Sequence, residues 1–176
     1  MSWMSSPKGK RDNAIITLAA ELGMRTADIL SIKLSDFDWD TGSLYFSQSK
    51  NRKPQALPIN EKVGIAVIDY LRVRPQTESE YLFVTLNPPY EKMPRFASSF
   101  IRYRNRTDIE VDKNAKHGMH SLRATAATKL LSANVSPDII FPFLGHSDRE
   151  TLDSYLRFDI ENLRDCALSF KNGELI

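Results

Sequence analysis

Apolar positions recur at helical spacing along most of the chain and alternate with polar ones in one region. Ile15, Leu18, Ala19 and Leu22 form an i, i+3, i+4, i+7 stripe. It predicts a helix capped by Asp12 and stopped at Gly23. Thr26 can cap a second, short helix, with Asp28 in its first turn near the positive dipole end. LSDFDWDTGSLYFSQSK reads as strand, turn at Asp40-Thr41-Gly42, strand. QALPI follows as a third strand, so a small antiparallel sheet is expected. Asn60 can cap a helix with Val63, Val67, Ile68 and Leu71 on one face, and YLFV reads as a short strand. Pro94 can open a helix that runs to about Tyr103, with Phe96 and Phe100 inward and Arg95 and Arg102 sharing a face.

The last third of the chain is all helical in pattern. HSLRATAATKLLSA predicts a helix with Leu122, Ala126, Leu130 and Ala133 on its buried side. Ser136-Pro137-Asp138 is a strong helix start, with serine as cap and proline at the first helical position. Gly145 ends that helix, and Pro142 should kink it. Ser147 and Glu150 make a capping box that opens the helix carrying Tyr155. A final amphipathic helix covers Ile160 to Phe170. The sum is an α+β domain, mainly helical with a small antiparallel β-sheet.

The chain has 176 residues, enough for one domain with a substantial core, here expected over about residues 11–170. No apolar run is long enough to span a membrane, and MSWMSSPKGKRD lacks the apolar stretch of a secretory signal. A single cysteine, Cys166, excludes an internal disulfide and a Cys-rich zinc site and fits a reducing compartment. Net charge is only +2, but its distribution is uneven. Lys8, Lys10 and Arg11 cluster near the start, Lys50, Arg52 and Lys53 in SKNRK, and Arg95, Arg102, Arg104 and Arg106 in PRFASSFIRYRNR. Such clusters form a basic face for nucleic acid or a solvated mixed-charge surface, and charge alone does not separate the two.

Chemistry could reside in a few polar residues. His120 and Arg123 are i, i+3 neighbours and project from one helix face. His117, His120 and His146 are three possible zinc ligands, but no cysteine or carboxylate completes a ligand set, so no metal is expected. Arg25 stands just before a helix N-terminus, where an added guanidinium fork suits phosphate oxygens. Lys50 sits in a turn between strands. Each of these residues, taken singly, is as well explained by an ordinary surface or structural role.

Their order along the chain resembles the tyrosine recombinases, also called phage integrases. LAAELGMRTADILSIKLSDFDWDTGSLYFSQSKNRKPQALPI resembles the family's first arginine box and the hairpin after it. HGMHSLRATAATKLL resembles the H-x-x-R box. LGHSDRETLDSYLRF resembles the closing box, with a Gly-His pair and a tyrosine nine residues after the histidine. The resemblance implies a site-specific recombinase or integrase of a mobile element, which cleaves and rejoins DNA through a 3′-phosphotyrosyl intermediate without metal or other cofactor. Tyr155 would be the nucleophile. Arg25, Arg123 and His146 would bind the scissile phosphate, Lys50 would be the general acid, His120 would assist proton transfer, and Asp28 would play a supporting acidic role. Lys8, Lys10, Arg11, Arg52, Lys53, Arg95 and Arg102 are the expected further DNA contacts.

The resemblance also implies double-stranded DNA as partner, a tetramer on recombining sites, a monomer or weak oligomer without DNA, and a cytoplasmic, nucleoid-associated location for a bacterial or phage-encoded protein. The separate N-terminal DNA-binding domain common in the family is expected to be absent from this chain. Two departures are Ala124, where histidine or arginine is frequent, and Asp28, where glutamate is common. The competing functions are a non-catalytic DNA-binding remnant of an integrase and a type IB topoisomerase. The complete residue set argues against the first, and the H-x-x-R and Gly-His spacing against the second.

Overall fold

A computed structural model describes residues 5–50, 52–105, 118–136, 140 and 144. The chain divides into two compact units, residues 1–126 and 127–176. In the first unit, helix α1 spans Pro7–Leu22, α2 spans Thr26–Ile29, α3 spans Glu61–Leu71 and α4 spans Ala97–Arg104. Strands β1 (Phe37–Asp38), β2 (Ser43–Ser47) and β3 (Pro54–Pro58) form one antiparallel sheet in the order β1-β2-β3. Helix α5, Met119–Ser132, runs across the division.

Helix α1 starts earlier than its apolar stripe. Ser6, not Asp12, is the cap: its hydroxyl accepts from the Gly9 amide, and Pro7 follows at the first helical position. Gly23 ends the helix at φ 60°, a left-handed conformation that glycine adopts without a Cβ clash. Ala14, Ile15, Leu18 and Ala19 are fully buried, as are Val63 and Val67 of α3, and α1 and α3 form the main helix pair of this unit. Asn60 caps α3 through the Val63 amide as expected. The buried face of α3 is Val63, Ala66, Val67 and Tyr70, while Ile68 is exposed. Tyr70 stacks on Phe83 at 5.5 Å, and its hydroxyl accepts from the Val84 amide.

Leu82, Phe83 and Val84 are fully buried, yet they form no strand; the segment makes only isolated bridges, Lys33 with Tyr81 and Val84 with Lys92. Arg74 adds to the backbone bonds from the Leu82 amide to the Ile32 carbonyl and from the Met93 amide to the Phe83 carbonyl. Its guanidinium donates to the carbonyls of Leu82, Ser79 and Tyr81 at 3.0, 2.8 and 2.8 Å. The Tyr81 and Leu82 carbonyls, which a sheet neighbour could have satisfied, are therefore taken by a side chain. Phe96, 1% exposed, precedes α4 rather than lying within it. Arg95 is thus outside the helix and does not share a helical face with Arg102.

Within the second unit, Ala127, Ile140 and Leu144 form a buried cluster with Leu130, Leu131 and Val135 packed on it. The Ile140 amide donates to the Ser136 carbonyl, the first bond of the helix expected after Ser136. On α5 the buried positions are Met119, Arg123, Ala126 and Ala127, and Ala133 is exposed. The predicted kink at Pro142, the capping box at Ser147 and the helix over 160–170 fall outside the described residues. Among the described residues no helix is long and apolar enough to cross a membrane.

Candidate active site

Arg25 is the residue at which α1's glycine stop hands the chain to α2. It is the N-cap of α2, with Thr26 already helical, so the expected threonine cap is shifted by one residue. Its extended backbone (φ −71°, ψ 145°) leaves the guanidinium beside α2, with its side chain 19% exposed. Asp28, one turn on and only 3% exposed, lies 3.9 Å from the Arg25 Nη1. The same carboxylate accepts from the Ser49 amide at 2.7 Å. It therefore ties the first arginine to the turn that carries Lys50, across 21 residues of sequence.

That turn closes the β2–β3 hairpin. Register pairs Leu44 with Leu57, Phe46 with Gln55 and Ser47 with Pro54. Beyond the strands the Gln48 amide donates to the Lys53 carbonyl, and the Arg52 amide donates to the Gln48 carbonyl. Arg52 takes φ 53°, the left-handed step that lets the turn reverse. Lys50, Arg52 and Lys53 are all exposed at its tip. Gln48, in contrast, is 3% exposed. Sequence reading missed it, although an amide at the next inward position after Leu44 and Phe46 is a legible break in a period-2 pattern.

The second arginine arrives from the far end of the unit. Arg123 is 3% exposed and donates from Nη1 to the Gly23 carbonyl at 2.6 Å, across 100 residues of sequence. Gly23 is two residues before Arg25, so the Arg123 guanidinium is anchored on the short loop that carries Arg25. His120, one turn earlier on α5, is exposed. Gly118 precedes it at φ 129°, and its carbonyl accepts from the Ser121 amide and hydroxyl, which opens α5. The structure thus brings Arg25, Asp28, the Lys50 turn and Arg123 to one loop region. His117, His146 and Tyr155 lie outside the described residues.

The expected DNA contacts divide into two groups. Arg52, Lys53, Arg95 and Arg102 are exposed and Lys10 is half-buried. Arg11 is 6% exposed; its guanidinium binds Asp12 and the Val84 carbonyl, so it is a structural residue and not a surface contact. Lys8 binds Asp12 and the Tyr103 hydroxyl, and Tyr103 donates to Asp12 as well. Burial pushes the Tyr103 phenol up from its ordinary range, and the bond to Asp12 adds to this. For Lys8, burial pulls downward, but the bonds to Asp12 and Tyr103 outweigh it and the ammonium is raised. Asp12, expected as a helix cap, is instead the fully buried hub of this network.

Among the described residues no group of His, Cys, Asp and Glu is arranged to hold a metal ion. An open groove of about 360 Å³ between α1 and α3, lined by Ile16, Ala20, Lys62 and Ile65 among others, contains none of the candidate residues.

One arginine carried by a loop and a second anchored to it, with an acidic link to a lysine-bearing hairpin, are accompanied by a match of residues 1–161 to the model of the phage integrase family. The chain belongs to the phage integrase family. The integrase/recombinase y4gC of Sinorhizobium fredii is 37% identical over 171 residues, covering 97% of this chain and 88% of that protein. The tyrosine recombinase XerA of Thermococcus kodakarensis is 29% identical, covering 90% of this chain and 55% of the relative. Among solved structures, a XerA recombinase superposes with TM-score 0.66 at 26% identity, over 89% of this chain and 59% of that one. XerH bound to a palindromic difH substrate superposes with TM-score 0.76 at 24% identity, over 95% of this chain and 47% of XerH. This phage integrase chain therefore has the tyrosine recombinase fold and spans about half the length of the XerA and XerH proteins.

Proposed function

We propose that this chain carries the catalytic domain of a site-specific DNA recombinase that breaks and rejoins double-stranded DNA through a covalent tyrosine linkage. The observation that supports this most is the 2.6 Å bond from Arg123 to the Gly23 carbonyl. It anchors the second arginine on the loop of the first, as recognition of one phosphate requires. Two guanidinium groups can take the charge that grows on the phosphoryl oxygens, and preorganised donors of this kind are worth about 2.7–4 kcal/mol each.

The Tyr155 phenol attacks the scissile phosphorus, so a tyrosyl O–P bond forms and the P–O5′ bond breaks. A free tyrosine has a pKa of about 10 and needs help at neutral pH. Cations at the phosphate favour the phenolate, and a neutral imidazole, His120 or His146, can accept the proton. Lys50 gives a proton to the departing O5′, a contribution of roughly 10²–10⁴-fold. The products are a 3′-phosphotyrosyl ester and a free 5′-hydroxyl. The ester conserves the bond, so a 5′-hydroxyl from another strand can reverse the step without ATP. Exchange between two duplexes fits a tetramer on DNA, with the half-buried Lys10 and the exposed Arg52, Lys53, Arg95 and Arg102 as phosphate contacts.

Covalent capture tests the reading. The protein is incubated with a pool of nicked duplexes of randomised sequence, and DNA attached to protein is recovered and sequenced. The expected result is an enriched sequence and an adduct that is lost in Tyr155→Phe but kept in Tyr103→Phe. Attachment without any sequence preference would indicate topoisomerase-like cleavage. Binding with no adduct would indicate a non-catalytic remnant. Either outcome overturns the proposal.

A further inference from the structure

Gln48 is anomalous on physical grounds. It continues the inward positions of β2 after Leu44 and Phe46, yet carries an amide where an apolar side chain would fit. It is 3% exposed, and its Oε1 is buried with no hydrogen-bond partner among the described residues. A buried acceptor left unmade weakens a fold, and native structures rarely keep one without a use. Its backbone is fully committed: its amide and carbonyl close the turn with Lys53 and Arg52. The next residue, Ser49, is the one bonded to Asp28. Gln48 therefore stands at the base of the turn that carries Lys50, on the side tied to the Arg25 loop.

We propose that Gln48 is a positioning residue for the Lys50 acid: its amide oxygen accepts a hydrogen bond from the Lys50 ammonium when that side chain turns in from solvent to meet the scissile phosphate. This inference rests on the reading of Lys50 as general acid. An ammonium has three donors and no acceptor, so it is aimed only if something accepts from it. A carboxylate would aim it but would also hold the proton more tightly and weaken the acid. A neutral amide aims it without that penalty. As P–O5′ breaks, one Lys50 N–H proton passes to O5′ and the neutral amine that remains can keep its bond to Gln48.

The test compares two leaving groups on the duplex recovered by covalent capture. One carries the ordinary 5′-oxygen and the other a bridging 5′-sulfur, whose thiolate departs without a proton. Gln48→Met keeps the volume and removes the acceptor; Lys50→Ala is the control. The expected result is cleavage by Gln48→Met slowed about 10–100-fold on the oxygen substrate, part of what a general acid supplies, and near wild type on the sulfur substrate. Its melting temperature should stay unchanged or rise by about 2 °C, because an apolar side chain suits the slot. Unchanged cleavage of the oxygen substrate overturns the proposal. So does equal loss on both substrates, which would put the amide on the phosphate, and so does a melting temperature lowered by several degrees, which would make Gln48 structural. If Lys50→Ala is not rescued by sulfur, the reading of Lys50 fails. If it is rescued while Gln48→Met behaves as wild type, only the inference about Gln48 fails.

Discussion

Arg123 differs from an ordinary surface arginine in having its guanidinium buried and committed to the Gly23 carbonyl. Lysine at this position would retain a charge but lose the planar fork that serves a carbonyl and a phosphate together. Arg123→Lys is expected to lower strand cleavage by about 10²–10³-fold, with DNA binding much less affected. Single-turnover cleavage and a binding titration on the same duplex separate the two, and equal losses in both would mean that Arg123 serves only to hold DNA. Arg74 makes the contrasting prediction. Its bonds to the carbonyls of Ser79, Tyr81 and Leu82 are structural, so Arg74→Met should cost about 1–3 kcal/mol in urea unfolding, and an unchanged midpoint would show the segment holds itself. The sequence boxes single out Arg25, Asp28, Lys50 and Arg123 as candidates, because phosphate chemistry restricts the residue types. Arg11 was not legible as a structural residue: a basic cluster in sequence does not reveal that one member turns inward to Asp12 and the Val84 carbonyl. Gln48 escaped notice although its place in the alternation after Leu44 and Phe46 was legible, because only the structure shows that its side chain is buried.

Among the elements, the β2–β3 hairpin depends on α2 through one backbone donor. Asp28→Ala removes the acceptor of the Ser49 amide, a bond to a charged group worth about 1.5–3 kcal/mol. Hydrogen exchange at Ser49 should accelerate, and cleavage should slow while the α1–α3 core keeps its protection. Exchange that accelerates equally across α1 would show that Asp28 supports the whole unit instead. The Asp12 network ties α1 to α4 and predicts alkaline behaviour. The Tyr103 phenol and Lys8 ammonium are raised, so the folded state holds their protons more firmly than the unfolded chain. Their stabilisation is complete below the unfolded tyrosine value of about 10 and is lost as pH rises through the folded values. Tyr103→Phe should flatten this limb of the melting-temperature profile, and an unchanged limb would place the alkaline loss elsewhere. Helices and hairpin were readable from periodicity, and both Asn60 and Gly23 act as their sequence positions imply. The buried strand expected at 81–84 was not a strand, because an apolar run records burial but not whether a side chain such as Arg74 satisfies its carbonyls. The start of α1 was also missed, since its first turn carries Lys8 and Lys10 and no apolar stripe.

For the whole molecule, the proposed strand exchange requires that the exposed cations hold DNA by its phosphates. Affinity should fall steeply with salt, because each phosphate neutralised contributes a slope of about −0.9 in log–log form. Arg52→Ala should reduce that slope by about one, and Arg11→Met should leave it unchanged, since Arg11 is inside the protein. A salt-insensitive complex would contradict the proposed phosphate contacts. The central claim is that side chains dispersed over the sequence converge on one phosphorus atom and transfer it to Tyr155. The most direct measurement is mass spectrometry of a protease digest of the captured adduct. The account predicts a nucleotide joined through its 3′-phosphate to the peptide containing Tyr155, with a free 5′-hydroxyl on the released strand. Attachment to any other residue, or through a 5′-phosphate, would contradict it.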